Sequence, residues 1–349
     1  MSVRVAFENQ AAICTKAGAP FTGRLCRLVA QRLSDEGGLA ARILGWPGNP
    51  SHEGDALPLR LMGGLHALAR DGRRPEWSGL YPPNTAPDDD GLWAALSAVL
   101  VEEAEFISPW LDGPPQTNEV GRSAALMAGL LVLGHQFGLP FETYELGASA
   151  GLNSRLDTYA HDLGGVRAGD AASRVRLKPE WQGAVPPQAE VVIGNRHLVD
   201  INPLDPSDPV TRKRLMAYVW ADQLERVARL GAALDLAKAM PLEVEAGDAA
   251  DWLEARLSLE PRSGLCRVVM HTIAFQYFPA EAKDRIRRHM QRVGERATSD
   301  APLAWLSFEQ DERGGNERRP SLDLTIWPGG EKRQLALCQP HGAFIDWLV

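Results

Sequence analysis

The sequence predicts an α/β protein: a mainly parallel sheet ending in an antiparallel hairpin, preceded by an all-helical amino-terminal portion. Three observations carry this. From Ala6 to about Gly138 apolar residues recur at helical spacing, with almost no strand-like alternation. After Pro140 short strand-like runs alternate with helix-like stretches, the grammar of a parallel sheet covered on both faces. Near the end, Trp327-Pro328-Gly329-Gly330 is a turn joining two strand-like runs with no helix between them.

In order, Ala11, Ala12 and Ile13 predict a first helix, and Leu25, Leu28, Val29 and Leu33 a second after Pro20. Leu57, Leu61, Leu65 and Leu68 define another, stopped by Asp71-Gly72 and Pro75. The Pro- and Asp-rich stretch 81–90 is a loop whose last aspartates suit the start of the helix carrying Trp93, Leu96 and Leu100. A further helix starts at Thr117, as N-cap, and runs to His135 or Gln136. Strands are expected over 142–146, 190–199, 242–246, 267–275, 303–308, 322–327 and 334–338, with helices over 152–159, 209–239, 249–257 and 281–296. The expected division is a helical portion, 1–138, and a sheet domain, 139–349, with an insertion at about 160–190. The only low-complexity stretch is a short loop, 311–319.

A hydrophobic content of 44% and a charged content of 23% are ordinary for a globular chain, so a substantial core is expected. The net charge of -8 argues against a general nucleic-acid or anionic-membrane binder. Cys14, Cys26, Cys266 and Cys338 form no C-x-x-C pair and no metal-type cluster, so they read as reduced thiols and no metal is expected. The first residues lack a signal-peptide core, and the longest apolar run, 124–134, is about half of the ~20 residues a membrane span needs. A cytoplasmic protein acting on a small-molecule ligand is expected.

The chemistry centres on 141–159, FETYELGASAGLNSRLDTY. A strand-like run, a small-residue turn and a helix-like stretch form the unit by which open α/β sheets bind ligands at strand carboxyl ends. Two readings compete, with a purely structural glycine turn as a third. Glu145, Gly147, Ala148, Ser149, Gly151 and Asn153 suit a nucleotide or S-adenosylmethionine (SAM) loop, with glycines where backbone nears ligand and an acid at the strand end. Gly147-Ala148-Ser149-Ala150-Gly151 also matches the G-x-S-x-G nucleophile elbow, for which Ser149, Asp248 or Asp251, and His341 give a triad in chain order. The polar Thr143-Tyr144-Glu145 ahead of the turn favours the ligand loop, because a buried Glu145 needs a partner such as a ligand ammonium or hydroxyl.

Asp200, at the expected end of the second strand, suits ribose hydroxyls, and Asp248, after the third, suits an adenine; either also suits a helix cap. His271, Gln276 and Tyr277 lie at the end of the fourth strand, where His271 suits a base, although a lone strand histidine also suits a satisfied core. Asn118, Glu119 and Arg122 make the start of the helix before the central strand unusually polar and are assigned to the acceptor. The Lys283, Arg287, Arg288, Arg292 stripe reads as a solvated helix face.

A parallel sheet closing on an antiparallel hairpin resembles the Rossmann-like, SAM-dependent methyltransferase fold. QTNEVGR, LPFETYELGASAGLN, VDINPLD, VWADQLER, GDAADWL and PHGAFIDW, in that order, resemble the bacterial family called domain of unknown function 2332, over nearly the whole chain. Ser154-Arg155 stands where leucines are expected after the asparagine, so the first turn of that helix is expected to be more exposed. The resemblance implies a methyltransferase-type core, and the sequence reading is a SAM-dependent methyltransferase-like protein. An esterase-like hydrolase with Ser149 as nucleophile, or a non-catalytic nucleotide-binding protein, is the alternative.

Overall fold

The computed structural model describes residues 1–310 and 319–349, so all but the last residue of the predicted loop 311–319 lies outside the described residues. The chain divides into two compact units, Met1–Thr117 with Asp208–Gly231, and Asn118–Ser207 with Ala232–Val349. This differs from the expected boundary near 138 at two places. The helix Ser123–Phe137 goes with the sheet, and 208–231 goes with the helices.

The first unit is helical: α1 (Val3–Lys16), α2 (Pro20–Arg32), α3 (Gly38–Leu44), α4 (Leu57–Asp71), α5 (Pro75–Ser78), α6 (Asp89–Glu102), α7 (Ala104–Ile107) and α9 (Pro209–Ala217). Its core gathers Phe7, Leu25, Leu28, Leu61, Leu65, Trp77 and Leu96. The predicted single helix over 209–239 is broken. After α9 the chain turns at Trp220–Gln223 and resumes as α10 (Leu224–Ala239). The break has a cause: Asp222 leaves the helical path to accept from the amides of Phe21 (2.6 Å) and Thr22 (3.1 Å) and the Thr22 hydroxyl (2.7 Å). Those donors open α2, whose own N-cap residue Ala19 has no side-chain acceptor.

The second unit holds a nine-stranded sheet in the order β5-β12-β11-β10-β9-β8-β1-β6-β7. The strands are β1 (Phe141–Leu146), β5 (Glu180–Gly183), β6 (Ile193–Asp200), β7 (Glu245–Ala246), β8 (Cys266–Thr272), β9 (Leu303–Gln310), β10 (Pro320–Trp327), β11 (Glu331–Cys338) and β12 (Phe344–Trp347). From β7 to β9 all neighbours are parallel. The predicted hairpin is β10–β11, turning through Gly329 and Gly330 at φ 112 and 69, values that favour glycine. Antiparallel pairing also extends to β9–β10 and β11–β12, beyond what the sequence indicated.

One face of the sheet presents Tyr144, Leu146, Val199 and Val269 to α11 (Ala249–Arg256) and α12 (Ala280–Gly294). The other is covered by α8 (Ser123–Phe137), apolar on nearly all sides and buried along most of its length. It packs so closely that a Cβ on Gly129 would lie 2.5 Å from Leu306 Cδ1. The expected insertion forms a small sheet, β3-β2-β4, from β2 (Ala160–Leu163), β3 (Val166–Gly169) and β4 (Arg176–Leu177), before β5 joins the edge of the large sheet.

Three local expectations differ. The stretch 152–159 is a 3₁₀ turn, Asn153–Thr158, because Ser154 and Thr158 spend their hydroxyls on Glu145 and the Arg155 carbonyl. α8 starts at Ser123 rather than Thr117, preceded by a 3₁₀ turn, Val120–Arg122, whose Gly121 amide is capped by Glu119. β7 is only two residues long, pairing with the last two of β6.

The capping role of Asp222 is testable. Asp222→Ala should remove about 2–3 kcal/mol of stability, since hydrogen bonds to a charged acceptor are lost and amides left open. A lower urea midpoint for the helical unit, followed by near-ultraviolet dichroism and tryptophan fluorescence, is the expected reading; an unchanged midpoint would refute it.

Candidate functional site

In the parallel part of the sheet the order reverses between β1 and β8, so the crevice at their carboxyl ends is where such sheets bind ligands. The turn 147–152 occupies it. Gly147 and Gly151 have φ 71 and 65, and Ser149 joins them at φ 56, a left-handed conformation that a side chain makes costly.

Every amide of this turn is taken by the protein itself. Gly147 and Ala148 donate to the Val199 carbonyl at 2.9 and 3.0 Å, and Gly151 to the Ala148 carbonyl at 2.8 Å. Ser149 donates to Asp200 Oδ2 at 2.8 Å. Ala150 and Leu152 donate to one atom, Asn118 Oδ1, at 3.2 and 2.9 Å. The Ser149 carbonyl accepts from the Leu204 amide at 3.0 Å. The turn's one side-chain hydroxyl, on Ser149, is buried and without a partner among the described residues.

Around this turn the sequence motifs converge. Arg122 donates to the carbonyls of Thr272, at the end of β8, and Pro340, before β12, at 3.2 and 3.0 Å. Gly121 and Gly342 cross so closely that neither has room for a side chain. Asn153 accepts from the Ser123 hydroxyl at 2.8 Å and donates to the Thr272 hydroxyl at 3.4 Å. Asn118, Glu119 and Arg122, expected at the acceptor, thus bind the protein's own turns.

Burial divides the expected ligand residues. Glu145, Ala148, Ser149, Gly151 and Asn153 are buried, whereas Gly147, Asp200 and Asp248 keep accessible surface. Asp200 spends Oδ1 on the Asn202 amide at 2.8 Å, so each of its oxygens holds one backbone amide and retains a lone pair. Asp248 caps α11, its Oδ1 accepting from Ala250 and Asp251 at 2.9 and 3.1 Å.

Glu145 finds its partner inside the chain, the Ser154 hydroxyl. Burial pushes its pKa up to about 7; the nearby Asp200 charge adds to this, while Ser154 and Arg155 pull it back. Ser154 and Arg155 are themselves buried, contrary to expectation: Ser154 is held by Glu145, and Arg155 Nη1 donates to the Met240 carbonyl at 2.5 Å.

His271 is a core histidine. Its Nδ1 lies 2.7 Å from Glu309 Oε1, its Nε2 accepts from Trp305 Nε1 at 2.9 Å, and its ring stacks on Phe275. Because the indole only donates, Nδ1 carries the proton, and neither ring nitrogen is left to act as a base. Gln276 is half-buried, its carbonyl accepting from Lys283 Nζ at 2.8 Å, and Tyr277 is exposed. Of the triad residues, Asp251 pairs with Arg285 at 2.7 Å and the His341 amide donates to Gln339 Oε1 at 2.6 Å. Glu309 and Trp305 had no sequence assignment; an acid closing the apolar run LAWLSFE was the available signal. Among the described residues no group of three or more His, Cys, Asp or Glu could hold a metal, and no helix is long and apolar enough to cross a membrane.

The raised pKa of Glu145 has a signed consequence. A proton held more tightly in the folded state stabilises it fully below the unfolded pKa near 4.3, and this is lost as pH rises towards about 7. Glu145→Gln should therefore gain stability over the wild type between pH 5 and pH 8, by up to about 3 kcal/mol. Urea midpoints of both proteins at the two pH values measure it; a difference independent of pH would contradict the assignment.

No curated protein and no solved structure matches the chain. A family model does, over residues 4–347, nearly the whole chain, and it joins the motifs that meet around the turn. The chain belongs to the family described as "Uncharacterized protein conserved in bacteria (DUF2332)".

Proposed function

We propose that the sheet unit is a Rossmann-like, methyltransferase-type domain that binds SAM over Gly147 and transfers its methyl group to a small-molecule or protein acceptor. The observation that carries this is the division of the turn. All six amides of 147–152 are consumed internally, while Gly147 keeps accessible surface and the next two strands along the sheet, β6 and β7, lead to the partly exposed carboxylates of Asp200 and Asp248.

A dinucleotide needs free amides at this turn for its pyrophosphate. SAM carries no phosphate. Its ribose hydroxyls and adenine amine are donors, suited to the spare lone pairs of Asp200 and to Asp248 Oδ2. When bound, its sulfonium supplies an electrophilic methyl: the sulfur–methyl bond breaks as the acceptor–methyl bond forms, leaving a neutral thioether. An acceptor that is already nucleophilic gives its proton to solvent, so the chain must orient rather than catalyse proton transfer. The commitment of both His271 nitrogens is compatible with that.

One observation favours the hydrolase reading, the left-handed φ of 56 at Ser149 within G-x-S-x-G. Against it, the Ser149 hydroxyl is buried and the Ala150 amide, which would face an oxyanion, is held by Asn118.

Calorimetry with SAM, S-adenosylhomocysteine and NAD tests the reading. Binding of the first two and not of NAD is expected; no heat and no thermal shift with SAM or S-adenosylhomocysteine would refute it. Asp248→Asn keeps the cap oxygen but replaces the acceptor facing the adenine, and should weaken S-adenosylhomocysteine about tenfold, or about 1.4 kcal/mol. Labelling of Ser149 by a fluorophosphonate would favour the hydrolase instead.

A further inference from the structure

Glu309, next to the last residue of β9, takes no part in the ligand contacts proposed above, yet its carboxylate gathers four donors. Oε1 accepts from His271 Nδ1 at 2.7 Å and from the amides of Ala274 and Phe275 at 3.0 Å. Oε2 accepts from the Gln276 amide at 3.4 Å. Three consecutive amides drawn onto one carboxylate fix the path of the chain after β8. The same path holds Ile273 at φ 48, a region that a β-branched residue avoids.

The turn so fixed forms one side of the ligand surface. A Cβ on Gly147 would lie 2.5 Å from the Ala274 Cβ and 3.8 Å from the Phe278 ring. Movement of Ala274 by an ångström would therefore change the space over Gly147. His271 cannot follow the turn freely, because Trp305 holds its other nitrogen at 2.9 Å. Burial alone would raise the Glu309 pKa, but the hydrogen bond from His271, with those from the two nearest amides, holds it below the usual carboxylate range.

We infer that Glu309 is a positioning residue, whose carboxylate holds the turn after β8 so that Ala274 and Phe278 shape the ligand surface at Gly147. The inference rests on the SAM reading. Four donors need an acceptor-only group, which a carboxylate is and a carboxamide is not. Glutamine keeps one carbonyl oxygen for His271, Ala274 and Phe275 but turns an NH₂ towards the Gln276 amide. Alanine removes every acceptor.

The test combines amide exchange with S-adenosylhomocysteine calorimetry on the full chain, comparing wild type, Glu309→Gln and Glu309→Ala. In the alanine variant, exchange at 274–276 should rise at least tenfold and affinity fall at least tenfold, with exchange in β1 and β6 unchanged. The glutamine variant should lie between on both readouts, and it alone decides if the alanine variant does not fold. Wild-type affinity in the variants, or equal acceleration across β1 and β6, would overturn the inference. Failure of the wild type to bind would refute the SAM reading by itself; unaltered protection at 274–276 would then still refute the hold that Glu309 has on the turn.

Discussion

The clasp that Asp200 and Asn118 place on the turn 147–152 is the constraint from which the site follows. A buried amide without an acceptor costs about 1–3 kcal/mol, so a tight turn at the end of a central strand must find acceptors from elsewhere. β6 supplies two, the Val199 carbonyl and the Asp200 carboxylate, because parallel pairing brings its end beside Leu146. Asn118 supplies the third with a single oxygen serving two amides. The left-handed Ser149 costs on the order of 1–3 kcal/mol, and one charge-assisted bond from its amide to Asp200 is of the same size. Turn and clasp are therefore stable together and neither alone.

Charge beneath and beside the turn is treated in two ways. Glu145 is kept near neutrality by burial, with one hydroxyl as its partner and Asp200 as a like charge nearby. Glu309, surrounded by four donors, is kept ionised despite burial. Glu309 has more donors and Glu145 is the more deeply buried, and hydrogen bonds to the charged form offset desolvation. After β6 and β7, the carboxylates of Asp200 and Asp248 are each oriented by backbone amides.

The sheet was largely legible because its strands carry period-two or continuous apolar patterns bounded by Pro, Gly and Asp. β12 was not: Phe344–Trp347 is only four residues long, although three of them are apolar. The small sheet of the insertion had a usable signal, Gly164-Gly165 between two four-residue runs, the composition of a two-residue hairpin turn. The break between α9 and α10 was hidden because its cause, Asp222 reaching α2, spans 200 residues of sequence. The candidate site was legible as a place and not as a set of roles. Its motifs do meet, and Asn118, Arg122 and Glu145 hold the chain's own turns, Asn118 and Glu145 from buried positions. A polar side chain reads the same in sequence whichever it does, since the partner that decides lies far along the chain. Arg155 makes the point: its polarity suggested exposure, yet it is buried with Nη1 on the Met240 carbonyl, far along the chain.

The central claim, that the protein satisfies every amide of its own turn 147–152, can be measured without any ligand. Native-state amide exchange of the ligand-free chain should show Ser149, Ala150 and Leu152 protected to the level of β1 itself. Rapid exchange at these three amides, with β1 protected, would mean that the turn is open and its amides free, and would contradict the account.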